Sequence, residues 1–156
     1  MKVVVASIAL NEEKHVRRWA ESAKGADYIY LLDTGSTDDT IKIAKECGVT
    51  VIEHKIVPWH FGNARNYLLE RLPEDADWVI NLDLDEVLID GWRGHLESMD
   101  QSITRPRYNY TWNWNDDGTP GLQYNGDKIV RRNGYKWVNA VHEVMVPVDG
   151  LVEKQG

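Results

Sequence analysis

Residues 81–88 read NLDLDEVL, which places Asp83, Asp85 and Glu86 within four positions, directly after the apolar Trp78-Val79-Ile80. Carboxylates this close repel one another, and burying them unpaired is costly. Two explanations stand for such a trio at the end of a buried strand. A divalent cation can gather it, because Mg²⁺ and Mn²⁺ take oxygen ligands. Alternatively it is a solvated acidic turn opening the next helix, where acids suit the first-turn dipole.

The elements needed to position these acids are legible around them. KVVVASIA and DYIYLLD are near-continuous apolar runs, the mark of strands buried on both faces. VTVIEH and DWVINLD read as a third and fourth strand. Between them, NEEKHVRRWAESAKG is amphipathic, with Val16, Trp19, Ala20 and Ala23 on one face and Gly25 at its end. STDDTIKIAKECG reads as a helix capped by Ser36 or Thr37. FGNARNYLLERL is a third helix, stopped by Pro73. Strands alternating with helices predict an α/β fold with a mostly parallel sheet, and ligands of such sheets bind beyond the carboxyl ends of the strands. Leu10-Asn11-Glu12, Asp33-Thr34-Gly35-Ser36 and the acids at 83–86 should therefore meet on one rim.

Past the acids the period changes. GWRGHLESMDQSI fits a short helix, and RPRYNYTWNWNDDGTP alternates, with Tyr108, Tyr110, Trp112 and Trp114 on one face of an antiparallel strand. The expected use of that aromatic face is as core, with stacking on an acceptor as the other reading and Trp114 as the ring nearest an open rim. LQYNGDKIVRRNGYKWVNAVHEVMVPV adds strand-like runs divided by two Asn-Gly turns.

Composition narrows the class. A chain of 156 residues fits one domain over 1–156, large enough to bury about 70% of its unfolded surface. Lys and Arg number 18 against 25 Asp and Glu, a net charge of −7, which speaks against nucleic acid or an anionic membrane as the main partner. The single Cys47 excludes an internal disulfide and fits a reducing compartment. No stretch has the apolar length of a membrane span, and the first apolar run reads as a strand rather than a leader. A cytoplasmic location follows as the expectation. Seven Trp and seven Tyr stand beside one Phe, a bias suited to sugar rings and interfaces as well as to small cores.

Taken together, the N-terminal strand leading to NEE, the stretch LLDTGSTDDT, ARN on a helix and then LDLDE resemble family 2 glycosyltransferases of the GT-A fold. LLDTGSTDDT looks like that family's D-x-G-S-T-D-x-T signature, Asp83-Leu84-Asp85 stands where its DXD motif stands, and GYKWVNAVHE is similar to the W-x-x-VHE segment of a subgroup. That subgroup includes lipopolysaccharide-core glucosyltransferase-like and peptide S-glycosyltransferase-like enzymes. The resemblance implies residues 1–86 as a nucleotide-binding half and 87–156 as an acceptor-side half that is short for the family.

The activity implied is metal-dependent transfer of a sugar from a nucleotide-diphosphate donor, a UDP-sugar, to an unknown acceptor with inversion. A divalent Mn²⁺ or Mg²⁺ would offset the charge growing on the leaving diphosphate. By the same resemblance Asp85 is the metal ligand, with Asp83 at the ribose or at the metal through water and His142 completing the coordination, although a lone His is as readily structural. Asp33 would accept from the nucleobase, or serve as an Asx-turn acid. Ala9, Asn11 and Glu12 would border the base pocket, with helix capping as the other account of Asn11. Arg65 would lie by the nucleotide, or be a surface helix cation, and Glu143 would be the general base, or equally orient His142 or bind the sugar. Glu86 reads as a helix-start acid. The short C-terminal half points to a homo-oligomer or a partner subunit completing the acceptor site. Two rival readings are a degenerate relative that only binds nucleotide or glycan, and a haloacid-dehalogenase-like phosphatase. The second would want its D-x-D after the first strand.

Overall fold

The structure, a computed structural model describing residues 1–156, is built on a five-stranded sheet in the order β3-β2-β1-β4-β7. Its strands are β1 (Val3–Ala9), β2 (Tyr28–Asp33), β3 (Thr50–Glu53), β4 (Trp78–Asn81) and β7 (Ile129–Arg131). The first four are parallel, and β7 runs antiparallel along β4, with Ile80 opposite Ile129. Helices α1 (Val16–Ser22), α2 (Thr40–Glu46), α3 (Phe61–Leu69) and α4 (Trp92–Ser98) cover it. Two hairpins stand apart from the main sheet: β5 (Tyr108–Thr111) with β6 (Gln123–Gly126), and β8 (Tyr135–Val138) with β9 (Val144–Pro147).

The apolar runs give a core on each face. Val3, Val5, Leu31, Trp78 and Ile80 pack with Val16 and Trp19 of α1, Ala44 of α2 and Leu96 of α4. Val4, Ala6, Leu32 and Val79 pack with Ala64 and Leu68 of α3 and Trp137 and Met145 of the β8–β9 hairpin. The chain walks outward from β1 to β3 with α1 and α2 on one face, then returns across β1 to β4 through α3 on the other. That reversal makes the carboxyl ends of β1 and β4 the crevice of the sheet.

Several local expectations shift. α1 begins at Val16 with His15 as its N-cap, so Asn11 does not cap it. Asn11 instead takes a left-handed backbone (φ 57°) and ties two loops together. α2 begins at Thr40, and Asp38, not Ser36 or Thr37, accepts from the Thr40 amide at 3.0 Å. His60, which has no evident role in the sequence, caps α3 by accepting from Asn63 N–H at Nδ1.

The largest departure is the alternating aromatic strand. Only 108–111 is strand; Trp112 and Trp114 lie 66% and 59% exposed, and none of the four rings joins either core. β5 pairs only with β6, and Tyr108 and Tyr110 are half-buried while Trp112 and Trp114 stay exposed. No helix is long and apolar enough to cross a membrane.

Candidate functional site

The loop after β1 and the loop after β2 are locked to each other. Asn11 N–H donates to Ser36 Oγ and Asn11 Oδ1 accepts from Thr37 N–H, both at 2.8 Å. Glu12 N–H donates to Thr40 Oγ1 at 2.8 Å, and Asp39 N–H to Glu13 at 3.0 Å. The Ala9 carbonyl accepts from both the amide and the hydroxyl of Thr34 at 2.9 Å. Asp33, 1% exposed, folds the turn by accepting from Gly35 and Ser36 N–H with Oδ1, at 2.9 and 2.8 Å. Gly35 has φ 126°, which a side chain rarely tolerates. Asp33 Oδ2 is buried with no partner. A carboxylate oxygen in that state is a strong acceptor awaiting a donor.

A cavity of about 410 Å³ opens at the ends of β1 and β4. Glu12, Arg65, Asp83, Asp85 and Glu143 face it, together with Ile8, His15, Phe61 and Leu84. Ala9, Asn11, Asp33 and His142 are outside this lining. His142 is exposed and sits in the β8–β9 loop at φ 54°, not on a strand.

Arg65 is the hub. It is 8% exposed and lies 4.7 Å below the Trp137 ring. Its Nε donates to Glu143 at 2.7 Å and its Nη2 to Asp83 at 2.8 Å. Burial opposes its charge, but the two carboxylates outweigh burial and raise its pKa. The loop carrying Glu143 is pinned to the start of α3: Phe61 N–H donates to Ala140 O at 3.0 Å and Gly62 N–H to Asn139 O at 3.1 Å. Asn66 brackets the Trp137 backbone with one hydrogen bond in each direction, at 2.9 and 2.8 Å.

Lys128, just before β7, is the residue that sequence reasoning missed. Its Nζ donates to Asp83 Oδ2 at 2.7 Å and to Glu86 Oε1 at 3.0 Å. Glu86 Oε2 accepts from Asp83 N–H at 3.0 Å, so Glu86 closes the acidic turn rather than opening a helix. Burial would raise the Asp83 carboxyl, but Arg65 and Lys128 outweigh it and hold it below the ordinary carboxylate range. Burial likewise opposes the Lys128 ammonium, and Asp83 and Glu86 prevail and raise it. Tyr108 is pushed up to about 12, chiefly by burial, and Tyr110 is raised by burial and then by the Glu86 charge. Tyr108 Oη accepts from the Lys128 amide at 3.4 Å, which roots the aromatic hairpin at this site.

The fit of a divalent cation depends on which oxygens remain free. Asp83 and Glu86 are engaged by nitrogen donors at every carboxylate oxygen. Asp85 is exposed, faces the cavity and makes no side-chain hydrogen bond or ion pair; only its backbone carbonyl is used, accepting from Arg18 at 3.0 Å. No three His, Cys, Asp or Glu side chains gather in a metal-holding group. One carboxylate fits a cation that takes its other ligands from phosphates and water. It does not fit a closed protein cage.

A family model described as glycosyl transferase family 2 matches residues 4–134. The chain belongs to this family. Uncharacterized glycosyltransferases of Rickettsia typhi and Rickettsia conorii are each 33% identical to it over 108 residues, 69% of this chain. The chain spans only 36% and 37% of their lengths. Glucosyl-3-phosphoglycerate synthase of Mycobacterium tuberculosis, in complex with Mn²⁺, UDP and glucosyl-3-phosphoglycerate, has a TM-score of 0.56 at 24% identity. That match covers 68% of this chain and 43% of the synthase. The same enzyme with Mn²⁺ and UDP-glucose gives 0.55. Likeness at this identity establishes the GT-A fold, with its mostly parallel sheet and antiparallel C-terminal strands. Family membership removes the phosphatase alternative, and the acids do follow the fourth strand, β4.

Proposed function

We propose that the cavity at the ends of β1 and β4 binds a nucleoside diphosphate-sugar, a UDP-sugar, together with Mn²⁺ or Mg²⁺. On this reading the chain is the donor-binding part of an inverting glycosyltransferase. The observation that carries it is a charge imbalance. Glu12, Asp83, Asp85 and Glu143 line the cavity with Arg65 as the one lining guanidinium; Lys128 is spent on Asp83 and Glu86, and Arg18 reaches only the Asp85 carbonyl. An anionic diphosphate facing that wall needs a divalent cation between them. The complexes of glucosyl-3-phosphoglycerate synthase with Mn²⁺ and UDP lend the same reading their support.

In this proposal Asp85 holds the cation, which supplies charge to the diphosphate as the sugar leaves. The orphaned Asp33 Oδ2 accepts from the base, with the loop of Ala9, Asn11 and Glu12 walling the base pocket. Asp83, kept ionised by its two cations, accepts from the ribose. Arg65 keeps Asp83 and Glu143 in place beside the diphosphate. Glu143 Oε2, which no protein group engages, takes the proton of the acceptor hydroxyl as that oxygen attacks C1. In this proposal His142, on the exposed β8–β9 loop, completes the coordination of the cation. The W-x-x-VHE-like stretch aligns the reading with the lipopolysaccharide-core and peptide S-glycosyltransferase-like subgroup.

Thermal unfolding with UDP tests the reading. The rise in melting temperature should be larger with Mn²⁺ than with EDTA, since ligand that binds only the folded state stabilises by mass action. Equal shifts in both buffers would sink metal-dependent binding. Slow hydrolysis of UDP-glucose with Mn²⁺ would separate a transferase from a chain that only binds.

A further inference from the structure

The acidic turn contains three carboxylates, yet only one is free. Asp83 Oδ1 accepts from Arg65 and Oδ2 from Lys128, while Glu86 Oε1 accepts from Lys128 and Oε2 from the Asp83 amide. Lys128 is itself fixed by register. Its carbonyl accepts from the backbone amide and the side-chain amide of Asn81, at 3.1 and 3.0 Å, where β7 runs along β4. The ammonium therefore lies between two carboxylates as a built part of the strand pairing.

We propose that Lys128 occupies the position a bare divalent cation would otherwise take, so that the chain accepts Mn²⁺ or Mg²⁺ only together with a nucleoside diphosphate. The inference rests on the donor-site reading above. Its physical basis is ligand number. Asp83 Oδ2 and Glu86 Oε1 would by themselves offer a free cation a pair of carboxylate oxygens, and the ammonium held across them removes that pair. Asp85 alone supplies too few oxygens, and the diphosphate must bring the rest. Lys128 is in this sense a positioning and selectivity residue. It contacts the cavity's acids, not the reacting atoms.

The probe is Mn²⁺ alone, titrated into the full chain without nucleotide and followed by calorimetry or by the electron paramagnetic resonance of free Mn²⁺. The wild type should bind Mn²⁺ weakly by itself and far more tightly with UDP present. Lys128→Met frees Asp83 Oδ2 and Glu86 Oε1 and removes a positive charge within hydrogen-bond distance, so nucleotide-free Mn²⁺ binding should tighten by about tenfold or more. Lys128→Arg keeps the charge and should stay close to wild type. Lys128→Met combined with Asp83→Asn should lose the gain, which a merely structural lysine would not produce.

Nucleotide-free binding by the wild type as tight as binding with UDP overturns the inference, and this measurement needs no variant to fold. Lys128→Met binding Mn²⁺ no more tightly than wild type overturns it as well, with circular dichroism checking that the variant is folded and Lys128→Gln replacing it if it is not. Failure of the donor-site reading looks different. UDP would then not bind with Mn²⁺ at all, whatever Lys128 does to the bare ion.

Discussion

Arg65 and Glu143 stand 78 positions apart in the chain and meet at 2.7 Å, Nε to Oε1, beneath the cavity. The same guanidinium reaches Asp83 at 2.8 Å, so one buried cation joins the acidic turn after β4 to the loop between β8 and β9. Arg65→Met should leave Glu143 without a cation and Asp83 with Lys128 alone, at a cost of about 3 kcal/mol. Arg65→Lys should recover only part of this, because an ammonium lacks the planar fork that spans both partners. Urea unfolding of the two variants checks the order.

Asp85 and Glu86 are neighbours with opposite expectations. Asp85 is exposed with a free carboxylate, so Asp85→Asn should change stability by no more than about 0.5 kcal/mol. It should nevertheless abolish most of the Mn²⁺-dependent shift with UDP. Glu86 accepts from the Asp83 amide and from Lys128. Glu86→Gln should cost about 1–2 kcal/mol and leave most of the Mn²⁺-dependent shift. Identical behaviour of the two variants in the UDP assay would overturn the assignment of Asp85.

Gly62 opens the first turn of α3 against the β8–β9 loop, and a Cβ there would stand 2.7 Å from the Asn139 carbonyl. That distance is too short for van der Waals contact, so Gly62→Ala must push the loop away and lengthen the reach from Arg65 to Glu143. The expected result is a loss of about 1–3 kcal/mol, as for an overpacked site, together with weaker UDP binding. Wild-type stability and binding in this variant would show that the loop is free to move.

Trp114 and Trp78 contrast a surface ring with a core ring. Trp114 is 59% exposed, and Trp78 is fully buried, with Arg131 stacked 3.9 Å from its ring. Trp114→Ala should stay within about 0.5 kcal/mol of wild type, whereas Trp78→Ala should cost about 3–5 kcal/mol. Denaturation midpoints settle the comparison. A large loss at Trp114 would place the hairpin face in a packed interface.

The sequence by itself determined the strand-helix alternation and the face of α1 that is buried. It also placed polar groups after β1 and β4, where Glu12, Asp83 and Asp85 line the cavity. These are local properties: apolar runs, period and turn residues act within a few positions. It marked Asp33, Arg65, Asp83, Asp85 and Glu143, but not which of them share a cavity wall. It also misread the aromatic alternation from Tyr108 to Trp114. Alternation reports that two faces differ, not how deeply either is covered: Tyr108 and Tyr110 are half-buried, Trp112 and Trp114 stay exposed, and none of the four joins a core.

Lys128 shows what only the tertiary structure decided. A single lysine before a short apolar run carries no signal, and its meaning comes from β7 pairing antiparallel with β4, which sets Lys128 beside Asn81 and hence beside the acids. The same holds for Arg65 and Glu143, brought together by α3 crossing the sheet and by the loop clamped to its first turn. Charge on a side chain is written in the sequence. Which opposite charge it meets depends on strand register and helix placement across dozens of residues, and at these short distances that decides whether a carboxylate is ion-paired, as Asp83 is, or left free, as Asp85 is.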